Sequence, residues 1–262
     1  MKLENLRILI TGASSGIGRM LTERLAAGCG NRIVAVARHT EAIPQVPGVV
    51  FPLAADFSKP EDIDRTFRYM LDTFGGIDLC IANAGFAYRE RIEEPDWRHS
   101  ERIFNLNTLG QIHMLQHFLQ ANKDCGNTKV PKYFVSLISA VAMVPLPYYA
   151  LYCASKSALD GFWRTYRFEK PGWLRILRVY PVATRTNFFT RASGEQEPPL
   201  PFIRQCPEQV AEAILRGLRK NRKKVYPSRL FAAFYPLMRA FPFLSWLYSY
   251  NEKRKMVRHL AQ

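Results

Sequence analysis

The chain has no CxxC pair among its five cysteines, Cys29, Cys80, Cys125, Cys153 and Cys206. That spacing excludes a recognisable thiolate metal site or disulfide framework. No metal is expected, and the odd count suits a reducing compartment. No stretch reaches the roughly 18 charge-free apolar residues of a membrane-spanning helix. The start, MKLENLRILITG, runs from polar residues into an apolar segment of strand length, so no signal peptide is expected there. Internal repeats and low-complexity tracts are lacking too. Acidic residues become scarce toward the end: residues 163–262 hold 20 Lys/Arg against 6 Asp/Glu, nearly all of the net charge of +15. Such asymmetry points to an acidic partner, either membrane phosphates, a phosphorylated substrate or nucleic acid, with a solvated basic face as the plain alternative. No zinc-finger or RNA-recognition signature is present, so no nucleic-acid partner is expected.

What is present is material for a core, with 48% hydrophobic residues in 262. Apolar runs of strand length at 6–11, 32–37, 49–54, 77–82, 133–138 and 174–180 alternate with helical patterns at 17–27, 61–73, up to 119, and at 149–168. Pro60 marks a helix start. Alternation of this kind predicts an α/β fold, a doubly wound parallel sheet with helices on both faces. After Pro181 the regularity breaks. Residues 187–207 read as a loop or lid over a site, 208–220 as a helix, 224–227 as a last short strand, and 228–262 as an aromatic, basic extension. The expectation is one nucleotide-binding domain over 1–262.

The first strand runs into Thr11-Gly12-Ala13-Ser14-Ser15-Gly16-Ile17-Gly18 and then a helix. Glycines there serve a tight turn, close approach to a pyrophosphate and close helix–strand packing, while the helix start offers free N–H groups to phosphate. Arg38 ends the second strand, where an acidic residue would accept the ribose 2′-hydroxyl of NAD and an arginine suits the 2′-phosphate of NADP. NADP is therefore favoured over NAD, with Arg19 as a further source of charge.

Tyr152 and Lys156 lie four apart on a predicted helix and share a face. Ser139 follows the fifth strand at the carboxyl edge, where open α/β sheets bind ligands. A tyrosine titrates near 10, too high for acid/base work near neutrality, and a nearby ammonium lowers that value. Cys153 has no histidine close in sequence and reads as a packing residue.

Taken together, Thr11–Gly18, Asn83-Ala84-Gly85, Asn107, Ser139, Tyr152-Cys153-Ala154-Ser155-Lys156 and Pro181 resemble, in order and spacing, the short-chain dehydrogenase/reductases over about residues 6–186. The resemblance implies a Rossmann-type sheet of about seven strands, an NAD(P) cofactor and an oxidoreductase that interconverts a carbonyl and an alcohol. It implies a tetrad in which Tyr152 exchanges the proton, Lys156 lowers its pKa and bonds the nicotinamide ribose, Ser139 orients the carbonyl, and Asn107 holds a water. Cofactor contacts carried over by position are Gly12, Ser14, Ser15, Gly16, Ile17, Gly18, Asp56 at the adenine, Asn83, Ala84, Gly85, Pro181, and Thr184 and Thr186 at the carboxamide. The chain departs from the family pattern in having Ala82 for a frequent Asn and Val182 for a frequent Gly. The family is often oligomeric, so a homo-oligomer is expected.

The loops around the site are apolar, with Val141, Met143, Val144, Leu146 and Tyr148, which suits a small apolar substrate. The extension LFAAFYPLMRAFPFLSWLYSY at 230–250 is flanked by RKNRKK and by Lys253–Lys255. It has three open readings: an interfacial membrane anchor, an oligomer interface or a lid. The expected location is cytoplasmic, with the tail offering peripheral membrane contact. A non-catalytic dinucleotide-binding regulator on the same fold is the alternative function, and the complete tetrad is the feature that argues against it.

Overall fold

The computed structural model describes residues 1–93, 96–124, 130–193 and 201–260. Seven of its strands are β1 (Arg7–Thr11), β2 (Arg32–Ala37), β3 (Val50–Ala54), β4 (Leu79–Ala82), β5 (Lys132–Leu137), β6 (Leu174–Val179) and β9 (Lys224–Val225). They form one sheet in the order β3-β2-β1-β4-β5-β6-β9, parallel at every pairing. The central strands are buried and mostly apolar because both faces are covered. Period-two alternation sorts them: Ile8, Ile10, Ile33 and Ala35 face one core with Leu21, Leu25, Ile214 and Leu218. Leu9, Val34, Val36 and Cys80 face the other, with Phe67, Met70, Phe118 and Trp163. The first core lies under α1 (Gly16–Ala26) and α7 (Pro207–Arg219), the second under α2 (Pro60–Phe74), α4 (Gly110–Ala121) and α5 (Ala150–Tyr166).

Local chemistry sets the helix ends. Pro60 occupies the first turn of α2, and Gly75, at φ 67°, closes it in the left-handed region that glycine tolerates. Asp96 caps α3 (Trp97–Phe104) through the backbone N–H groups of Arg98 and His99. Between α3 and α4 the chain makes one π-helical turn, Asn105–Leu109, a feature that often marks a functional position.

The observed elements agree with the expected ones to within about two residues, the usual uncertainty of helix and strand ends. Two features beyond them shape the site. A two-stranded sheet pairs β7 (Ala183–Thr184) with β8 (Arg204–Gln205), tying together the ends of the expected lid. Within that lid α6 (Phe188–Ala192) is helical, and residues 194–200 lie outside the described residues. The extension folds into α8 (Arg229–Ala240) and α9 (Pro242–Leu260). Pro236 sits inside α8, and Pro242 stands at the start of α9, where a missing N–H costs nothing. No helix among the described residues is long and apolar enough to cross a membrane.

Candidate functional site

Sheet order reverses at β1, whose neighbours β2 and β4 lead away in opposite directions. That switch point opens a crevice beyond the strand ends, and the described cavity there, about 420 Å³, holds nearly all the expected residues. Gly12, Ser14, Ser15, Gly16, Ile17, Arg38, Asp56, Asn83, Ala84, Gly85, Ser139, Tyr152, Lys156, Pro181, Thr184 and Thr186 line it. Gly18 and Asn107 do not. Gly18 lies beneath the turn, where a methyl group would run into the Gly12 carbonyl oxygen; its part is helix–strand packing.

The glycine turn has the form a pyrophosphate requires. Gly12 and Gly16 have φ of 68° and 53°, which side chains with a Cβ rarely adopt. Ser15 begins α1 without a side-chain cap, and no acidic residue lies in the first turn. The first N–H groups of α1 are thus left for an anion at the positive end of the helix dipole. Asn83 pins the turn through Nδ2, donating to the carbonyls of Thr11 (2.8 Å) and Gly12 (3.3 Å). Thr11 Oγ1 accepts from the N–H of both Asn83 and Ala84, each at 3.0 Å. Thr11 is therefore the hub joining the two motifs, a role its place at the head of the glycine run only hints at.

At the end of the cavity beside β2, Arg38 is exposed on the rim. Arg102, a residue the sequence does not single out, joins it in the cavity wall. Burial raises the Asp56 carboxyl, but Ser58 bonds and the charges of Arg38 and Arg102 outweigh it and hold the group below its ordinary value. Asp56 Oδ1 already accepts from Ser58 N and Oγ, at 3.0 and 2.8 Å. Arg19 instead pairs with Glu23 on the surface at 3.0 Å.

At the end of the cavity beside β5, Ser139 has φ 153° and ψ 155°, a region close to glycine-only whose occupation stores strain. Its hydroxyl accepts from Val141 N at 3.3 Å and donates to the Pro181 carbonyl at 3.4 Å, and it favours the charged form of the Tyr152 phenol. Tyr152 is buried, with the Phe188 ring 5.5 Å away. Lys156 Nζ donates to the Leu137 carbonyl at 2.9 Å. Gly85 leaves room for this group: a Cβ there would lie 3.0 Å from Asn107 Oδ1 and 3.4 Å from Lys156 Nζ. Asn107, on the π-helical turn, accepts from Phe86 N (3.1 Å) and donates to Phe86 O (2.9 Å) and Ser155 Oγ (3.1 Å).

Burial dominates the electrostatics of Tyr152 and Lys156. Burial pushes the phenol well above its ordinary value, the Ser139 bond opposing it only in part. The same burial brings Lys156 down to about 7. Both groups are pressed toward neutrality because a dry site penalises either charge. Cys153 behaves as the packing residue expected, half-buried, its thiol pushed up by burial. Val182 keeps an ordinary negative φ, so the missing glycine does not strain the loop.

The far end of the cavity is walled by Val141, Val144, Leu146, Phe188, Phe189 and Ile203, and roofed by Phe231, Met238 and Tyr248 from α8 and α9. Glu252 holds the roof down: it is buried, accepts from Phe202 N at 3.2 Å and pairs with Lys255 at 2.8 Å. Met256 packs with Ile103, Tyr149 and Phe189. Nothing in the spacing of the extension signals that it covers a site nearly a hundred residues earlier in the chain.

The family model for short chain dehydrogenase matches residues 7–197. The 3beta-hydroxysteroid dehydrogenase 1 of Eggerthella lenta is 27% identical over 232 residues, covering 80% of this chain and 85% of that protein. Tetrahydroxynaphthalene reductase PfmaG of Pestalotiopsis fici is 32% identical over 201 residues, 72% and 70% of the two chains. Among solved structures, a short-chain dehydrogenase from Sphingobium yanoikuyae in complex with NADPH superposes with a TM-score of 0.76 at 25% identity, covering 90% of this chain and 92% of its own.

Proposed function

The chain belongs to the short-chain dehydrogenase/reductase family of nicotinamide-dependent oxidoreductases, and from that premise we propose that it is an NADP-dependent reductase of an apolar ketone, working at a membrane face. The observation that carries the reading is the convergence of Ser139, Tyr152 and Lys156 on one cavity whose other end is apolar. A bound nicotinamide dinucleotide would supply the hydride. Gly12, Ser14, Ser15, Gly16 and Ile17 would hold its pyrophosphate, Asn83, Ala84 and Gly85 would flank it, and Thr184 and Thr186 would meet its carboxamide.

The chain's own residues handle orientation and the proton. Ser139 Oγ holds the carbonyl oxygen. Tyr152 Oη, kept protonated by burial, gives that oxygen its proton in reduction and takes it back in oxidation. Lys156, titrating near neutrality, is suited to return the proton to Tyr152, with Asn107 fixing the helix that faces it. A positive charge brought beside the phenol would favour phenolate, the form needed for oxidation. Two arginines, Arg38 and Arg102, at the adenosine end support NADP, since a 2′-phosphate gains from a charged pair.

The outer face of α8 and α9 supports a lipid surface. Phe234, Phe241, Phe243, Trp246, Leu247 and Tyr250 are exposed there, Trp246 by 65%. Arg229, Arg239, Lys253, Arg254 and Arg258 are exposed beside them, and Glu252, the one acid between 229 and 262, is buried. Aromatics with a basic fringe suit an anionic bilayer, and the same helices roof the substrate end, so a lipophilic ketone could enter from that side.

Two assays test the reading. Tyr152→Phe should cut NADPH-dependent reduction of apolar ketones by about 10²–10⁴-fold while leaving NADPH affinity unchanged; equal turnover in the two chains would refute the assignment. Sedimentation with phosphatidylserine vesicles should carry down wild type and lose Trp246→Glu/Phe243→Glu. A chain that stays in the supernatant, or that self-associates through this face instead, refutes membrane contact.

A further inference from the structure

Away from the crevice, on the outer surface of the second helical layer, Asp64 of α2 meets His113 and His117 of α4. None of the three lines the cavity. Among the described residues they form the group whose donor atoms converge closely enough to hold a metal ion. The sequence suggests no metal, since it offers no Cys spacing, and a His-xxx-His pair becomes informative only when the fold brings a carboxylate to it.

We propose that Asp64, His113 and His117 form a binding site for a borderline divalent cation of the zinc type, clipping α2 to α4. His113 Nε2 and His117 Nε2 lie 2.8 and 2.7 Å from the same oxygen, Asp64 Oδ1, and 3.3 Å from each other. With ligand distances of about 2.1 Å, the two edges to Asp64 subtend about 80–84° at a single ion and the edge between the imidazoles about 104°, so Asp64 needs to move out by a few tenths of an ångström to reach octahedral or tetrahedral angles. The three atoms thus form one triangular face of a coordination shell. The i, i+4 spacing puts both imidazoles on one side of α4.

The surroundings orient the ligands. Gln116 Oε1 lies 3.1 Å from His113 Nδ1, so an ion that replaces the Nε2 proton would leave the ring proton on Nδ1, donating to Gln116. The Phe67 ring stacks on His117 at 5.2 Å and 28°, fixing that imidazole. Two imidazoles and a carboxylate suit Zn(II), Cu(II) or Ni(II) and not Mg(II), which prefers oxygen donors. The side chains are 24–46% exposed, so the remaining positions face water and a second ligand can enter. The separation from Tyr152 makes this a structural or regulatory site.

The test uses tag-free protein stripped with chelator and desalted. Zn(II) alone is titrated against a chromophoric chelator, and Co(II) absorption reports the donor set. Wild type should bind one equivalent with a Kd of about 1 µM or tighter. His113→Ala/His117→Ala should lose that equivalent, and Asp64→Asn and Gln116→Ala should each weaken it by about 10–100-fold. Circular dichroism and NADPH binding should be unchanged in all of them, showing that the fold is intact. Absence of zinc binding by wild type overturns the site. So does full stoichiometry in the double variant, which would place the ion elsewhere, such as on the exposed thiol of Cys29.

Discussion

Replacing Lys156 by methionine should abolish catalysis and yet make the free protein more stable. Lys156 is 3% exposed, and burial is what takes it from its ordinary 10.5 to about 7. At about 1.4 kcal/mol per tenfold change in proton affinity, that difference corresponds to about 5 kcal/mol of destabilisation at and below neutral pH. Methionine has a similar stem without the charge. The substitution leaves the Leu137 carbonyl without its donor, which costs about 1–3 kcal/mol. The net expectation is a gain of about 2–4 kcal/mol, or about 1 M in the urea midpoint. The sign with pH follows from proton counting. Between about 7 and 10.5 the unfolded lysine is protonated and the folded one is neutral, so wild-type stability rises with pH across that window. The advantage of Lys156→Met should therefore be full at pH 6 and fade toward pH 10. Urea unfolding of both chains at pH 6, 8 and 10, without nucleotide, measures it. A variant that is less stable at pH 6, or a difference flat with pH, would refute the claim that a buried ammonium costs stability here.

Three further outcomes follow from the same structure. Arg38→Asp should weaken NADPH binding by about 10–100-fold, the worth of a charge-assisted bond to phosphate, and should not weaken NADH binding, since an acid at this place can accept the ribose hydroxyl, as fluorescence titration would show. Gly18→Ala should destabilise by about 1–3 kcal/mol through the methyl driven into the Gly12 carbonyl and should weaken both nucleotides alike. Asp78 is held well below the usual carboxylate range: burial opposes, but bonds from Arg7 and Lys132 prevail. Its contribution is present above the unfolded value near 3.9 and is lost as pH falls from there toward its native value. Asp78→Asn should cost about 2–4 kcal/mol at pH 7 because it removes the carboxylate that Arg7 and Lys132 share, and the loss should shrink in unfolding measured down to pH 3.

Local signals were sufficient for much of this protein. Strand-length apolar runs, helical spacing and the glycine turn depend on neighbours a few residues apart, and so the order of elements, the parallel sheet and the places of Gly12, Gly16, Asn83, Ser139, Tyr152 and Lys156 could be read from the chain alone. Arg38 could be read as well, because the end of the second strand has a known position relative to the turn. Other features depend on contacts between distant segments. Only packing shows that Thr11 joins the glycine turn to Asn83, that Arg102 comes to the rim beside Arg38, and that burial presses both Tyr152 and Lys156 toward neutrality. The extension illustrates the difference most fully. Its aromatics are equally compatible with anchor, interface or lid when read in sequence. The fold turns Phe231, Met238 and Tyr248 inward over the cavity, packs Met256 against Ile103, Tyr149 and Phe189, and leaves Phe243 and Trp246 outside, with the buried Glu252 of the last helix tied to the loop through Phe202 N.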